Sequence, residues 1–335
     1  MSQDTQESHL YSAQDLGQIL AEFSQQGQEL ITQLSKVILG QTAVLTEAVI
    51  AMIAGGHILL EGPPGVGKTF MLKALAKSSS LKMKRVQCTP ELMPSDILGG
   101  YRLVQKMEGP ELTFQEGPIF TQIFFADEIN RATPRTQAAL LEAMGEGQVS
   151  IDGELRVLPS PFFLVATQNP LDHEGTYPLP EAQADRFFFK SLSDHPSESV
   201  LDKLLDFDAL SAFEKLQAFT SAEKINAWYW ASTQIPLSPQ TRQKLLQILM
   251  KTRAQNLGAH LRPLIQDALS PRAARELYKA CQVHAALNGR LVANDDDLKR
   301  CLFPSIRHRL RLSWQAKSSQ LNVDEIIEEI CKGIL

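Results

Sequence analysis

Apolar positions along this chain follow two rhythms. Leu16, Leu20, Phe23, Leu30, Ile31 and Leu34 recur at helix-like spacing, which predicts a helix leading up to Gly40. Residues 1–12 are polar and read as a frayed end. Between about 44 and 190, short unbroken apolar runs take over: His57-Ile58-Leu59-Leu60, Ile123-Phe124-Phe125-Ala126, Phe162-Phe163-Leu164-Val165-Ala166 and Phe187-Phe188-Phe189. Gly, Pro or acidic residues bound each run, and helical patterns lie between. Unbroken runs suit parallel strands covered on both faces. Strands alternating with helices predict a doubly wound α/β sheet. Beyond about 195 the runs stop, and Val200-Leu201, Leu204-Leu205 and residues 245–250, 273–286 and 326–330 read as helices. The expected organisation is an N-terminal helical segment (1–36), an α/β core (37–195), connecting helices (196–236) and a smaller all-helical domain (237–335). No internal repeat or low-complexity tract is visible.

Composition narrows the class. A hydrophobic fraction of 44% with 21% charged residues is that of a globular chain, so wholesale disorder is excluded. Lys and Arg total 33 against 38 Asp and Glu, a formal charge of 33 − 38 = −5. That mild acidity argues against non-specific nucleic-acid binding as the main task. Cys88, Cys281, Cys301 and Cys331 form no C-x-x-C pair, which argues against a disulfide framework or zinc cluster and for a reducing compartment. The opening residues lack a basic stretch leading into an apolar one, so no secretory signal is read. The most membrane-like stretch, 43–60, carries Glu47 and His57 and is broken by Gly55-Gly56. These features together predict a cytoplasmic protein without a membrane span.

Chemistry enters with Gly62-Pro63-Pro64-Gly65-Val66-Gly67-Lys68-Thr69, which satisfies G-x-x-x-x-G-K-[ST] in full. A strand-like run precedes it, and a helical stretch beginning Phe70-Met71-Leu72 follows. Glycines let backbone N–H groups turn inward around phosphate oxygens, and the helix amino end adds partial positive charge. Lys68 would reach the β- and γ-phosphates of ATP, and the Thr69 hydroxyl would ligate Mg²⁺.

Two further strand-like runs end in polar residues. Asp127-Glu128 follow Ile123–Ala126 directly. Ligands of open α/β sheets sit beyond the carboxyl ends of strands, so Asp127 suits the magnesium shell and Glu128 the attacking water. The bland alternative is that both acids only favour the amino end of a following helix. Asn169, after the third run, could donate to the γ-phosphate or the water, or could simply form a turn. Three strands delivering Lys68, Asp127 with Glu128, and Asn169 to one edge favour a nucleotide hydrolase over a passive binder.

These stretches resemble the signatures of MoxR-type AAA+ ATPases. The resembling residues are Gly62 to Thr69, Asp127-Glu128-Ile129-Asn130-Arg131-Ala132, Thr136 to Met144, Gln148 to Gly153, Thr167-Gln168-Asn169-Pro170, Glu174 to Gln183 and Asp185-Arg186-Phe187. The resemblance covers about 37–311. It implies a P-loop AAA+ parallel sheet with flanking helices, inserted hairpins near 101–114 and 148–162, and a helical lid. It gives Asn169 the sensor 1 role, makes Arg186 the finger that reaches a neighbouring subunit's nucleotide, and makes Arg272 the sensor 2 arginine. Gly40-Gln41 would lie near the adenine, with nucleotide between sheet and lid. Ala268-Leu269 depart from the usual Gly-Ala before Ser270-Pro271-Arg272. Arg307, Arg309 and Arg311 read as a solvated lid face or an interface. The implied partners are copies of the chain in a hexameric ring, a client protein that is remodelled or matured, plausible work being metal insertion, and a separately encoded von Willebrand factor A-type protein.

Two other functions fit less well. A nucleic-acid-dependent motor would need a basic pore, yet Arg102 and Lys106 stand beside Glu108, Glu111 and Glu116. A nucleotide-gated assembly module with little hydrolysis would not need Glu128 and Asn169. His173-Glu174 is no zinc motif, because Tyr177 stands where a second His would be required. Cys88 reads as a buried small hydrophobe, and Trp228, Tyr229 and Trp230 as packing between domains.

Overall fold

The computed structural model describes residues 13–106, 109–169, 176–319 and 321–335. The expectations for residues 1–12, for the hairpin tip at Glu108, and for the Pro170 and His173 to Gly175 stretch lie outside them. A 25-residue helix, Ala13–Val37, buries Phe23, Leu30 and Leu34 and is followed by a second helix, Thr42–Ile53. Five parallel strands then form the central sheet: β1 (Ile58–Glu61), β2 (Met83–Gln87), β5 (Ile123–Asp127), β8 (Phe163–Gln168) and β9 (Phe189–Leu192). Their order across the sheet is β2-β5-β8-β1-β9. Helices Lys68–Ser78 and Pro134–Glu146 connect strands, and apolar side chains on both faces of β1, β5 and β8 are buried, as the unbroken runs required.

Two hairpins project from this core, β3 (Gly99–Lys106) with β4 (Gly109–Glu116) and β6 (Gln148–Ile151) with β7 (Glu154–Val157). The Tyr101 hydroxyl donates to Glu154 at 2.7 Å and accepts from Arg156 at 3.0 Å, so the hairpins are tied together. The last apolar run is displaced: Phe187 and Phe188 are buried but precede β9.

Four helices, Pro239–Lys251, Pro271–Leu287, Asp295–Ile306 and Val323–Cys331, dominate the C-terminal region. It is not all helical, however. β10 (Ile265–Asp267) and β11 (Arg311–Leu312) form a small antiparallel pair, too short to leave a period in the sequence. Trp228 does pack, stacked on Phe23 with ring centroids 5.0 Å apart, which joins the first helix to helix Ala222–Thr233. Cys88 is fully buried, and burial pushes its thiol up to about 12. No helix among the described residues is long and apolar enough to cross a membrane.

His57, just before β1, fastens two connections. Its Nδ1 accepts from the Leu164 N–H at 3.0 Å, and Nε2 lies 3.1 Å from the Met144 carbonyl, so the neutral Nε2–H tautomer satisfies both. Burial, with Arg272 adding to it, lowers its pKa to about 4. The unfolded chain therefore binds the extra proton between about pH 6.5 and 4, and stability falls as pH drops through that window. The full loss is roughly 3 kcal/mol. Thermal unfolding followed from pH 7 to 5 should show a falling midpoint, and His57→Gln should flatten the slope. An unchanged slope in the variant would place the titration elsewhere.

Candidate active site

Each sheet strand that carries predicted chemistry ends at the same edge. β1 runs into the phosphate loop, where Gly65 and Gly67 adopt φ of 83° and 90°, the left-handed region that favours glycine. A Cβ at Gly62 would lie 2.2 Å from the Ser193 carbonyl, so only glycine lets β1 turn here against the chain leaving β9. Pro63 and Pro64 have no N–H to donate and shape the loop. Gly65, Val66, Gly67, Lys68, Thr69 and Phe70 carry backbone N–H groups at or just before the amino end of helix Lys68–Ser78. The Phe70 ring packs against Phe213 with centroids 5.6 Å apart. Lys68 Nζ donates to the Gly62 carbonyl at 2.6 Å. Burial lowers its pKa, opposed by Asp127, Glu128 and Glu61. Those three acids place the ammonium at the tips of β1 and β5. Gln41 Nε2 donates to the Val66 carbonyl, which puts the Gly40-Gln41 turn against the loop.

The acidic pair is held by its neighbours. Thr167 Oγ1 donates to Asp127 Oδ1 at 2.6 Å and accepts from the Glu128 N–H at 2.8 Å. Arg85 Nη2 meets Asp127 Oδ2 at 2.7 Å. Gln87 Nε2 donates to Glu128 Oε2 at 2.9 Å, while its Oε1 accepts from Arg85 at 2.9 Å. Glu128 itself sits at φ 57°, ψ 54°, a conformation costing a non-glycine residue about 1–2 kcal/mol. The tertiary fold therefore holds its carboxylate off the strand axis. Asn169 follows β8, whose Gln168 pairs with Glu61, so it stands at the same edge beside the loop.

The two candidate arginines lie elsewhere. Arg186 Nη1 donates to the Leu141 carbonyl and approaches Gly145, both on helix Pro134–Glu146. Arg272, in the first turn of helix Pro271–Leu287, has Nη2 3.5 Å from the Arg186 carbonyl, and its charge is felt at His57. His57 precedes β1 and the phosphate loop follows it, a separation of about 15 Å along the strand. Arg272 is thus brought to the backbone of Arg186. A linear reading cannot supply the lid's docking direction.

The sequence profile of the "ATPase family associated with various cellular activities (AAA)" matches residues 57–189, and that of an AAA lid domain matches residues 260–330. YeaC of Bacillus subtilis is 37% identical, spanning 91% of this chain and 92% of its own. Chaperone MoxR1 of Mycobacterium tuberculosis is 31% identical over 91% of this chain and 80% of its own length. Protein MoxR of Paracoccus denitrificans is 30% identical over 84% and 87%. A solved structure of a candidate ATPase from Cytophaga hutchinsonii superposes with a TM-score of 0.83 at 30% identity, covering 94% of this chain and 96% of that one.

The chain belongs to the MoxR-type AAA+ ATPases.

Three residues of this MoxR-type ATPase escaped the sequence reading as site residues: Arg85, Gln87 and Thr167. The β2–β5 register, with Gln87 opposite Asp127, is what brings the first two to the acids. Gln87 and Thr167 stood out only as polar residues near strand ends, and Arg85, in the middle of β2, gave no such signal. Of the two readings offered for Arg307, Arg309 and Arg311, the interface is the one observed, within the chain and against residues 181–190. Arg309 is buried, Arg307 pairs with Asp324 at 2.8 Å, and Arg311 pairs with Glu181 and Asp267 at 3.1 and 2.9 Å. Cavity size is a poor guide here. The 710 Å³ cavity near His57 and Gly145 and the 610 Å³ cavity between Trp230 and Tyr278 include neither Lys68 nor Thr69. A 520 Å³ cavity containing Glu61, Asn169 and Lys190 flanks the loop instead.

Thr69 follows Lys68, whose ammonium feels the charge of Asp127, and a hydroxyl with one carboxylate beside a phosphate loop is a donor set that would suit Mg²⁺ shared with substrate phosphates. The group fits, with Arg85 as competitor for one Asp127 oxygen.

Proposed function

We propose that this chain hydrolyses ATP within a ring of its own copies, six by the family resemblance, and uses the cycle to remodel or mature a client protein. The observation carrying this reading is the division of parts. Lys68, Thr69, Asp127, Glu128 and Asn169 belong to one edge of the sheet, whereas the Arg272 guanidinium lies 3.5 Å from the Arg186 carbonyl and the Arg186 side chain reaches the Leu141 carbonyl. A site needing both sets is complete only when a neighbour supplies the arginines.

In this reading the loop N–H groups and Lys68 bind the β- and γ-phosphates, and Thr69 with Asp127 would hold Mg²⁺. That ion would neutralise charge on the phosphates. Glu128 polarises the attacking water once its carboxylate leaves Gln87, and Asn169 orients water or γ-phosphate. Arg186 and Arg272 from the adjoining subunit neutralise the charge that develops during transfer. The tied hairpins expose Leu103, Leu112 and Leu155, each more than 60% accessible, as apolar contacts for a client. A separately encoded von Willebrand factor A-type partner and metal insertion into the client complete the proposal. Lys106 pairs with Glu111 and Arg156 packs over Phe114, so the hairpins offer little to a nucleic acid.

Phosphate release measured against protein concentration tests this function. Turnover per subunit should require Mg²⁺ and rise steeply as rings form. Constant turnover down to dilutions where sedimentation shows monomers would rule out a site shared between subunits. Absence of release at every concentration would leave only nucleotide-gated assembly.

A further inference from the structure

Arg307-His308-Arg309, at the end of lid helix Asp295–Ile306, grip the backbone that carries Arg186. The Arg309 guanidinium is 1% exposed and has all five N–H donors engaged. Nε meets Asp185 Oδ1 at 3.0 Å. Nη1 meets the Phe188 carbonyl at 3.2 Å and the Ser305 carbonyl at 2.5 Å. Nη2 meets the carbonyls of Asp185 at 3.2 Å and Phe187 at 2.6 Å. Four of these five bonds fall on residues 185–188, on both sides of Arg186. His308 Nε2 adds a bond to the Phe187 carbonyl at 2.8 Å, and Arg307 Nη1 one to the Lys190 carbonyl at 3.1 Å.

Burying an arginine this deeply is costly, and an ion pair to Asp185 does not by itself make the fold more stable than apolar packing would. Burial lowers the Arg309 pKa to about 10, so the group is still charged at neutral pH. What a planar fork supplies that an apolar residue cannot is direction: it fixes the carbonyls of Asp185, Phe187 and Phe188, which flank Arg186. Arg186 leaves the chain from the middle of that stretch.

We propose that Arg309 is a positioning residue for Arg186. It sets the backbone from which Arg186 is presented to the adjoining subunit's ATP, and so makes that presentation depend on the lid's seating. The inference rests on the reading of Arg186 as acting in trans. Lysine at 309 keeps the charge but has three donors on one atom, so it cannot hold both flanks of Arg186.

The test compares Arg309→Lys with Arg186→Ala, each alone and mixed with Glu128→Gln subunits. The Glu128→Gln subunits are silent at their own site but carry intact Arg186 and Arg309. Arg309→Lys alone should lose on the order of 100-fold in turnover, the scale of a 1 Å misplacement, while ATP affinity by fluorescent-nucleotide titration stays within about twofold. Mixing should restore activity to both variants, because a sound neighbour then supplies the arginine. A role confined to stability would not be rescued in this way. Turnover of Arg309→Lys near wild type overturns the inference, as does failure of rescue for it while Arg186→Ala is rescued. Failure for both variants removes the trans reading itself, and this inference with it. If Arg309→Lys does not fold, Asp185→Asn weakens the same grip from the accessible side. It should give a smaller loss with the same rescue, and loss without rescue would count against the proposal.

Discussion

Arg186→Ala should lower ATP turnover by about 10³–10⁵, the range an arginine finger contributes to phosphoryl transfer. The loss follows from charge: the transferring phosphoryl spreads negative charge over its oxygens, and a guanidinium excluded from bulk water stabilises that charge more than solvent does. Nucleotide affinity should hardly change, because Arg186 contacts Leu141 and not the phosphate loop of its own chain. Phosphate release and nucleotide titration on the same preparation check both halves. A loss of affinity matching the loss of turnover would mean that Arg186 serves ground-state binding. Its backbone is deeply anchored by Arg309, so the variant should fold, and its melting temperature should stay close to wild type.

Glu128→Gln should cost about 10²–10⁴ in turnover, the scale of a positioned general base, with ATP binding retained. Glutamine preserves shape but removes the charge that polarises water. It can still face Gln87, whose amide group already bonds the Glu128 carboxylate and Arg85. The hydrolysis-blocked protein should accumulate in its ATP-bound assembly, so a pull-down with it recovers ring partners and client together. Undiminished phosphate release would remove Glu128 from its assigned role and shift attention to another base at the same sheet edge. Coupling between the two substitutions is informative as well. If both act on one transition state, the double variant should be little slower than the worse single one.

Much of the fold was legible because its signals are local. Unbroken apolar runs marked β1 and β5 to within a residue and β8 to within two residues of their observed ends, and the phosphate loop is a contiguous motif in which Gly65 and Gly67 occupy left-handed conformations. β9 was misplaced by two residues because Phe187 and Phe188 are buried in a turn ahead of the strand, and apolar content alone does not separate the two states. The β10–β11 pair was missed because strands of three and two residues carry no period. The reading of Arg309 stayed open between a solvated face and an interface because burial of a guanidinium depends on finding five acceptors, and these come from segments more than 120 residues away, apart from Ser305.

Sequence alone determined the phosphate loop, the acidic pair and the alternation of strands and helices, since each rests on neighbouring residues and their intrinsic backbone preferences. Tertiary structure decided which strands lie side by side, and thereby brought Arg85 and Gln87 to Asp127 and Glu128 through the β2–β5 register. It also decided that Arg272 meets the backbone of Arg186. Strand order and lid docking are set by burying apolar faces across long chain separations. That driving force is non-directional along the sequence, so no local spacing could have announced which polar side chains it would bring together.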